Sequence, residues 1–170
     1  MSRNIEIKAR LHDRKSMEQI AASLADSGPT LLHQEDTFFA CASGRLKLRV
    51  FAEGHGELIY YRRADEEGPK ESFYLLTPTK TPQNLKESLR LANGILGTVI
   101  KERTLYLIGR TRVHLDRVEG LGDFVELEVV LAENEAQAAG EQEADALMEQ
   151  LGIAENDLVC GAYFDLLAPA

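Results

Sequence analysis

Tryptophan is absent from this chain, and cysteine occurs only twice and proline five times in 170 residues. Cys41 and Cys160 make no metal-ligand spacing and no disulfide framework, so both read as small apolar residues. No apolar run approaches the ~20 residues of a membrane-spanning helix, so no membrane partner is expected. Met1-Ser2-Arg3-Asn4 leads straight into alternating residues without an apolar leader, and a reducing, cytoplasmic location is the expectation. Positive charge is the scarcer sign: 19 Lys and Arg stand against 28 Asp and Glu, for a net charge of −9. General nucleic-acid binding needs a basic footprint that this balance does not supply. The length suits one domain, 1–170, large enough to bury a core.

What the sequence has in quantity is strict alternation. In residues 4–11, Asn4, Glu6, Lys8 and Arg10 share one face, and Ile5, Ile7, Ala9 and Leu11 share the other. The same pattern predicts strands over 45–51, 57–63, 70–76, 99–108, 111–118 and 124–131, the last two joined by a tight hairpin at Gly120-Leu-Gly122. Three helices fit between strands. Asp13 caps one carrying Met17, Ile20, Ala21 and Leu24, ended by Gly28-Pro29. Thr81-Pro82 opens a second with Leu85, Leu89 and Ala92, stopped near Gly94. Residues 136–151 form a third, with Ala144, Leu147, Met148 and Leu151 inward and Gly152 as its stop. The tail from 156 to 167 reads as a short turn or helix and a last strand, with Tyr163 either in the core, the favoured reading, or closing the barrel. The expected class is α+β.

The distribution of charge is more informative than its total. Six segments, 3–10, 45–49, 57–63, 70–76, 99–108 and 110–117, hold 14 of the 19 basic residues and only five acids. Ordinary half-exposed strands, polar outward and apolar inward, are the bland explanation. Yet Lys47 and Arg49, Lys101 and Arg103, and Lys8 and Arg10 stack like charges at two-residue spacing, which repel unless an anion fills the space. A concave charged face holding a polyanion resolves this, and phosphate is the natural candidate for Arg and Lys donors. Glu126-Leu-Glu128 poses the opposite problem, which a divalent cation would resolve. Glu6 and Asp116 lie on the same charged faces. Acids for metal beside bases for phosphate make a metal–triphosphate site. His114 alternates with Arg112 and Asp116, but one histidine on a strand reads first as a polar strand residue. His12, His33 and His55 read as solvated. Gly54-His-Gly56 is too short for a phosphate-binding glycine loop.

Several runs carry a family resemblance. Asn4-Ile-Glu6-Ile-Lys8 resembles the Glu-x-Glu-x-Lys hallmark of the CYTH superfamily, the triphosphate tunnel metalloenzymes, with Asn in place of the first Glu. Gln34-Glu-Asp36-Thr-Phe-Phe39, Gly44-Arg-Leu-Lys-Leu-Arg49 and the run from His114 through Gly120-Leu-Gly122 to Glu126-Leu-Glu128 resemble the class IV adenylate cyclase branch. The resemblance implies an eight-stranded antiparallel β tunnel, a closed barrel with helices packed outside. It implies Mg²⁺ or Mn²⁺ held by Glu6, Glu126 and Glu128 with Asp116 as a further acid. It implies phosphate bound by Lys8, Lys47, Arg49, Lys101 and Arg103, joined by Arg63 and Lys70. Strand register decides whether Arg62 or Arg63 faces inward. Lys8, Lys101, Arg103 and Asp116 are the catalytic candidates.

Such a site supports two reactions on a nucleotide or polyphosphate. Attack of a ribose 3′-hydroxyl on the α-phosphorus of ATP gives cyclic AMP and pyrophosphate, the cyclase expected from the motif wording. Attack of water on the terminal phosphorus of tripolyphosphate or an organic triphosphate, such as thiamine triphosphate, is the alternative. A non-catalytic polyphosphate- or nucleotide-binding module is a third reading, kept open by Asn4, and a β protein with a charged exterior a fourth. A homodimer would have to form through helices or loops, since a closed tunnel leaves no edge strand.

Overall fold

A computed structural model describes residues 2–167. The chain runs β1 (Ser2–Arg10), α1 (Arg14–Leu24), β2 (Ser27–Phe39), β3 (Arg45–Phe51), β4 (Gly56–Arg63), β5 (Lys70–Thr79), α2 (Pro82–Asn93), β6 (Ile95–Ile108), β7 (Thr111–Val118), β8 (Gly122–Val130), α3 (Gln137–Leu151), a 3₁₀ turn (Glu155–Asp157) and α4 (Tyr163–Leu167). The eight strands close into an antiparallel barrel in the order β1-β5-β4-β3-β2-β6-β7-β8, with β8 pairing back onto β1. No helix among the described residues is long and apolar enough to cross a membrane.

Alternation puts one parity of each strand on the bore and the other on the outside. On β1 the outward residues Ile5, Ile7 and Ala9 are fully buried, as are Val113, Leu115, Leu127 and Val129 of the neighbouring β7 and β8. They are covered by Met17 and Ala21 of α1 and by Ala144, Leu147, Met148 and Leu151 of α3. Each Val, Leu, Ile or Met side chain among them contributes about 1.5–3 kcal/mol by leaving water. This cluster covers the outside of the barrel at β1, β7 and β8. α1 starts where Asp13 accepts a 3.0 Å bond from the Ser16 amide.

Three expectations fail here. Helix α1 ends at Leu24, and Gly28-Pro29 lies inside an eighth strand, β2, that the alternation missed. Gly28 has φ +105°, and a Cβ there would sit 2.6 Å from the Leu105 carbonyl oxygen, so the irregular pairing of β2 on β6 requires glycine. The expected last strand does not form. Its place is taken by the 3₁₀ turn, a single bridge between Ala9 and Leu158, and α4. A closed barrel has no free edge to extend. The apolar tail instead plugs one end, with Phe164 stacked on Phe38 at 5.2 Å and Tyr163 edge-on to Phe124 at 5.0 Å. Cys41 and Cys160 are exposed, not packed as small apolar residues.

Candidate functional site in the barrel bore

The bore holds a cavity of about 350 Å³. Ala162 and Tyr163 of the tail line one end, while Leu32, Phe51, Leu76 and Leu105 line it toward the other. Seven Lys and Arg residues and five Asp and Glu residues line it, so the cavity carries net positive charge inside an acidic protein. A low-dielectric cleft of one sign focuses its field on ions of the other.

One wall is built around Asp36 of β2. Its side chain accepts from Arg49 Nε and Nη2, both at 2.8 Å, and from Lys101 Nζ at 3.1 Å, with Lys47 Nζ at 3.3 Å. Three cations thus converge on one carboxylate that is 1% exposed. The crowding of Lys47 and Arg49 is relieved by the protein's own anion. Burial alone would raise the Asp36 carboxyl, but Arg49, Lys101 and Lys47 outweigh it and hold it well below the usual carboxylate range. Burial pushes Lys101 down to about 7 despite Asp36, and it lowers Lys47 as well.

The other wall sorts its charges into pairs. Arg112 donates to Glu128 at 2.8 Å, and Arg63 to Glu6 at 2.7 Å. Lys8 lies 3.6 Å from Glu126 and donates to the Gly161 carbonyl at 3.0 Å. Its ammonium also sits 4.1 Å above the Tyr163 ring. Arg103 grips Asp116 through two 2.6 Å bonds, and the Tyr163 hydroxyl donates to the same carboxylate at 2.7 Å. Burial would raise Glu126, yet Lys8 and Arg103 bring it well below its ordinary value. Glu128 is lowered against burial by His114 and Arg112. Cross-strand register places His114 beside Glu126, and Glu126 beside Lys8. Ligand atoms of His114, Glu126 and Glu128 lie within 4.8 Å of one another. His114 Nδ1 is buried without a hydrogen-bond partner, and so are Asn4 Oδ1 and Gln34 Oε1 at other points of the cavity.

Of the residues singled out from sequence, Glu6, Lys8, Lys47, Arg49, Arg63, Lys101, Arg103, Glu126 and Glu128 line the cavity. Arg62 is exposed, so register turns Arg63 inward. Asp116 lies behind Arg103, with both oxygens engaged. Lys70, beside Glu6 in register, turns its ammonium back to the Gly68 carbonyl at 3.3 Å. Neither of these two lines the cavity. Asp36, Arg112, His114 and Tyr163 are bore residues to which sequence reasoning gave no functional role. His114, read as a polar strand residue, is 5% exposed and lines the bore, and Tyr163 is buried in a core cluster and also closes the bore. Alternation with Asp116 on one strand was the available signal for Arg112 and His114, whereas Asp36 lay on the missed strand and Tyr163 on no strand at all.

The profile of the CYTH domain family matches residues 2–163. Among solved structures, the PH1012 protein from Pyrococcus horikoshii OT3 is similar at 25% identity and TM-score 0.85, covering 97% of this chain and 99% of its own. A putative adenylate cyclase from Vibrio parahaemolyticus is similar at 17% identity and TM-score 0.80, covering 98% of each chain. A putative adenylyl cyclase from Hippeastrum, described as having a dominant triphosphatase activity, aligns at 20% identity and TM-score 0.64, over 94% of this chain and 91% of its own. No protein of curated function matches the sequence significantly. The closed antiparallel barrel, its charge-sorted bore and a match over nearly the whole chain together show that this chain belongs to the CYTH domain family.

Proposed function

We propose that this protein is a divalent-metal-dependent enzyme acting on an organic triphosphate, converting ATP to cyclic AMP and pyrophosphate. The observation that carries this reading is the net-positive bore with a separate carboxylate–histidine cluster on its opposite wall. His114, Glu126 and Glu128 would hold the cation. The donor set fits, with two ionised carboxylates and a buried imidazole nitrogen that has no other partner. Bound there, Mg²⁺ or Mn²⁺ supplies neutralisation of phosphate charge.

The residues of the chain do the rest. Leu32, Phe51, Leu76 and Leu105 offer an apolar surface for a base or other organic group, which inorganic tripolyphosphate would leave unused. On β6, Leu105 pairs with His114, while Lys101, which reaches Asp36, lies four residues further along. This order supports an organic group among the leucines, the α-phosphate near His114, and the outer phosphates near Lys101, Lys47 and Arg49. Cations at that end would stabilise the charge that develops on pyrophosphate as the 3′-oxygen bonds to the α-phosphorus and the bridging bond breaks. Arg103, fixed by Asp116, and Lys8 would hold the chain in line between these ends.

Product analysis tests this directly. The pure protein is incubated with Mg²⁺ or Mn²⁺ and either ATP or tripolyphosphate, and cyclic AMP, pyrophosphate and phosphate are separated. Cyclic AMP with stoichiometric pyrophosphate is the expected result. Phosphate without cyclic AMP would move the attack to water at the terminal phosphorus. Binding without any product would leave a nucleotide-binding module.

A further inference from the structure

His114 is the one histidine lining the cavity among the described residues, since His12, His33 and His55 are exposed. It sits on β7 between Arg112 and Asp116, facing Glu126 across the strand pair. Its Nδ1 lies 3.9 Å from Glu126 Oε1, too far for a hydrogen bond, and among the described residues no group hydrogen-bonds to that nitrogen. A buried polar atom left without a partner is destabilising, so a native structure that keeps one points to a missing partner. At that distance the ring makes at most a long ion-pair contact with Glu126, which leaves Nδ1 without a hydrogen bond. The neighbouring cations already serve the carboxylates: Arg112 bonds Glu128, and Lys8 and Arg103 flank Glu126.

We propose that His114 is a metal ligand and that its nitrogen makes this a site for a first-row transition cation, with Mn²⁺ preferred over Mg²⁺. The inference rests on the metal-dependent reading above and deepens it. Mg²⁺ is a hard cation that takes oxygen ligands in near-ideal octahedral geometry and keeps several waters. Imidazole nitrogen is favoured by softer divalent ions, and affinity of mixed nitrogen–oxygen sites rises along the first row from Mn²⁺. An all-carboxylate cluster would not discriminate in this way. The nearby Lys8, Arg103 and Arg112 weaken every divalent cation alike by repulsion. The ratio of Mn²⁺ to Mg²⁺ affinity therefore isolates the contribution of the nitrogen.

The test uses the metals alone, without triphosphate. Loss of the free Mn²⁺ electron paramagnetic resonance signal gives Mn²⁺ affinity, and Mg²⁺ competition gives the ratio. Pulsed measurements on the Mn²⁺-loaded protein, with and without ¹⁵N-histidine labelling, report a directly bound imidazole. The expected results are a coordinated histidine nitrogen and Mn²⁺ binding at least about tenfold tighter than Mg²⁺. In H114N, which replaces the nitrogen donor by an amide oxygen, Mn²⁺ affinity should drop about 10–100-fold while Mg²⁺ affinity changes far less. The wild-type spectrum decides the matter even where the variant does not fold. Absence of histidine coupling, an unchanged ratio in H114N, or no Mn²⁺ binding would overturn the assignment. Because no substrate is present, failure of the cyclase reading leaves this result intact. Failure of the histidine assignment likewise leaves product formation to be judged by itself.

Discussion

The two walls of the bore are built from the same alternating strands but solve opposite problems. On the Asp36 wall, three cations share one carboxylate, so positive charge is left over. On the Glu126–Glu128 wall, Glu6, Glu126 and Glu128 each face a cation of their own, and the unpartnered atoms are His114 Nδ1 and Asn4 Oδ1. A buried charge is tolerated only when paired. The protein therefore stores its binding capacity differently on each side. One wall has cations held in place by too few anions, and the other gathers ligand atoms of His114, Glu126 and Glu128 within 4.8 Å of one another. The first wall can accept an anion without rearranging, because Asp36 already holds Lys47, Arg49 and Lys101 together.

That contrast is broken most severely by Asp36→Asn. Removing the carboxylate leaves Arg49 and Lys47 buried without their anion and takes away the one group that favours the charged form of Lys101, and loss of one partner from a buried pair costs about 3–5 kcal/mol. Urea unfolding of the free variant should show a loss of that size, and added tripolyphosphate should recover more stability in the variant than in the wild type. A loss below 1 kcal/mol would mean that Asp36 does not organise the wall. Next in size is Glu126→Gln on the opposite wall. Metal-dependent turnover should fall by about 100-fold or more, as for other preorganised electrostatic groups, while far-UV circular dichroism stays native. Full activity in both Glu126→Gln and Glu128→Gln would remove the metal site from that wall.

The outer layer of this fold was legible because its rule is simple. Ile5, Ile7 and Ala9 against Glu6 and Lys8 can only be a strand with one apolar and one charged face. β2 escaped the same rule because neither of its faces is uniform. Leu32, Gln34, Asp36 and Phe38 point inward, Leu31, His33, Glu35 and Thr37 outward, and the bore changes from apolar to charged along its length. The tail misled for a related reason. Val159, Tyr163, Phe164 and Leu166 are apolar enough for a strand, but closure of the barrel had already used every edge. Charged residues that occur in pairs, such as Glu126 and Glu128, announce themselves by spacing. Asp36, His114 and Tyr163 act singly, and their partners come from other strands or from the tail, so only register brings out their roles.

Protonation distinguishes the walls more gently. Burial holds Lys101 at about 7, below the 10.5 of a free lysine, so above pH 7 it is largely neutral in the unliganded bore. A bound polyanion favours the charged form and raises that value again. Triphosphate binding at pH 8 should therefore take up close to one proton at Lys101, and affinity should weaken as pH rises from 7 to 9. Below pH 6 the residue is charged before binding, and this uptake vanishes. Titration calorimetry in buffers of different ionisation enthalpy measures the proton count, and Lys101→Met should remove the uptake at pH 8. An unchanged count in the variant would assign the proton elsewhere.

The mildest effect is expected at Asn4, where the family hallmark has a glutamate. Asn4 is 2% exposed, lines the cavity, and has its amide oxygen buried without a partner. It lies two residues from Glu6 on the bore face of β1, at the level of Val130 rather than of Glu128. Asn4→Glu adds a buried carboxylate with no cation assigned to it, since Arg63 already serves Glu6. The metal-free variant should be less stable than the wild type, because an unpaired buried charge is costly. A divalent cation nearby would offset that cost, so Mn²⁺ should raise the melting temperature of the variant more than that of the wild type. Its Mn²⁺ affinity should rise, by a smaller factor than the loss of His114 lowers it, because Asn4 stands one strand position outside the His114–Glu126–Glu128 group. Equal Mn²⁺ shifts in the two proteins would place residue 4 outside the reach of the metal. The substitution of the hallmark glutamate would then be a change to the phosphate channel rather than to the cation site.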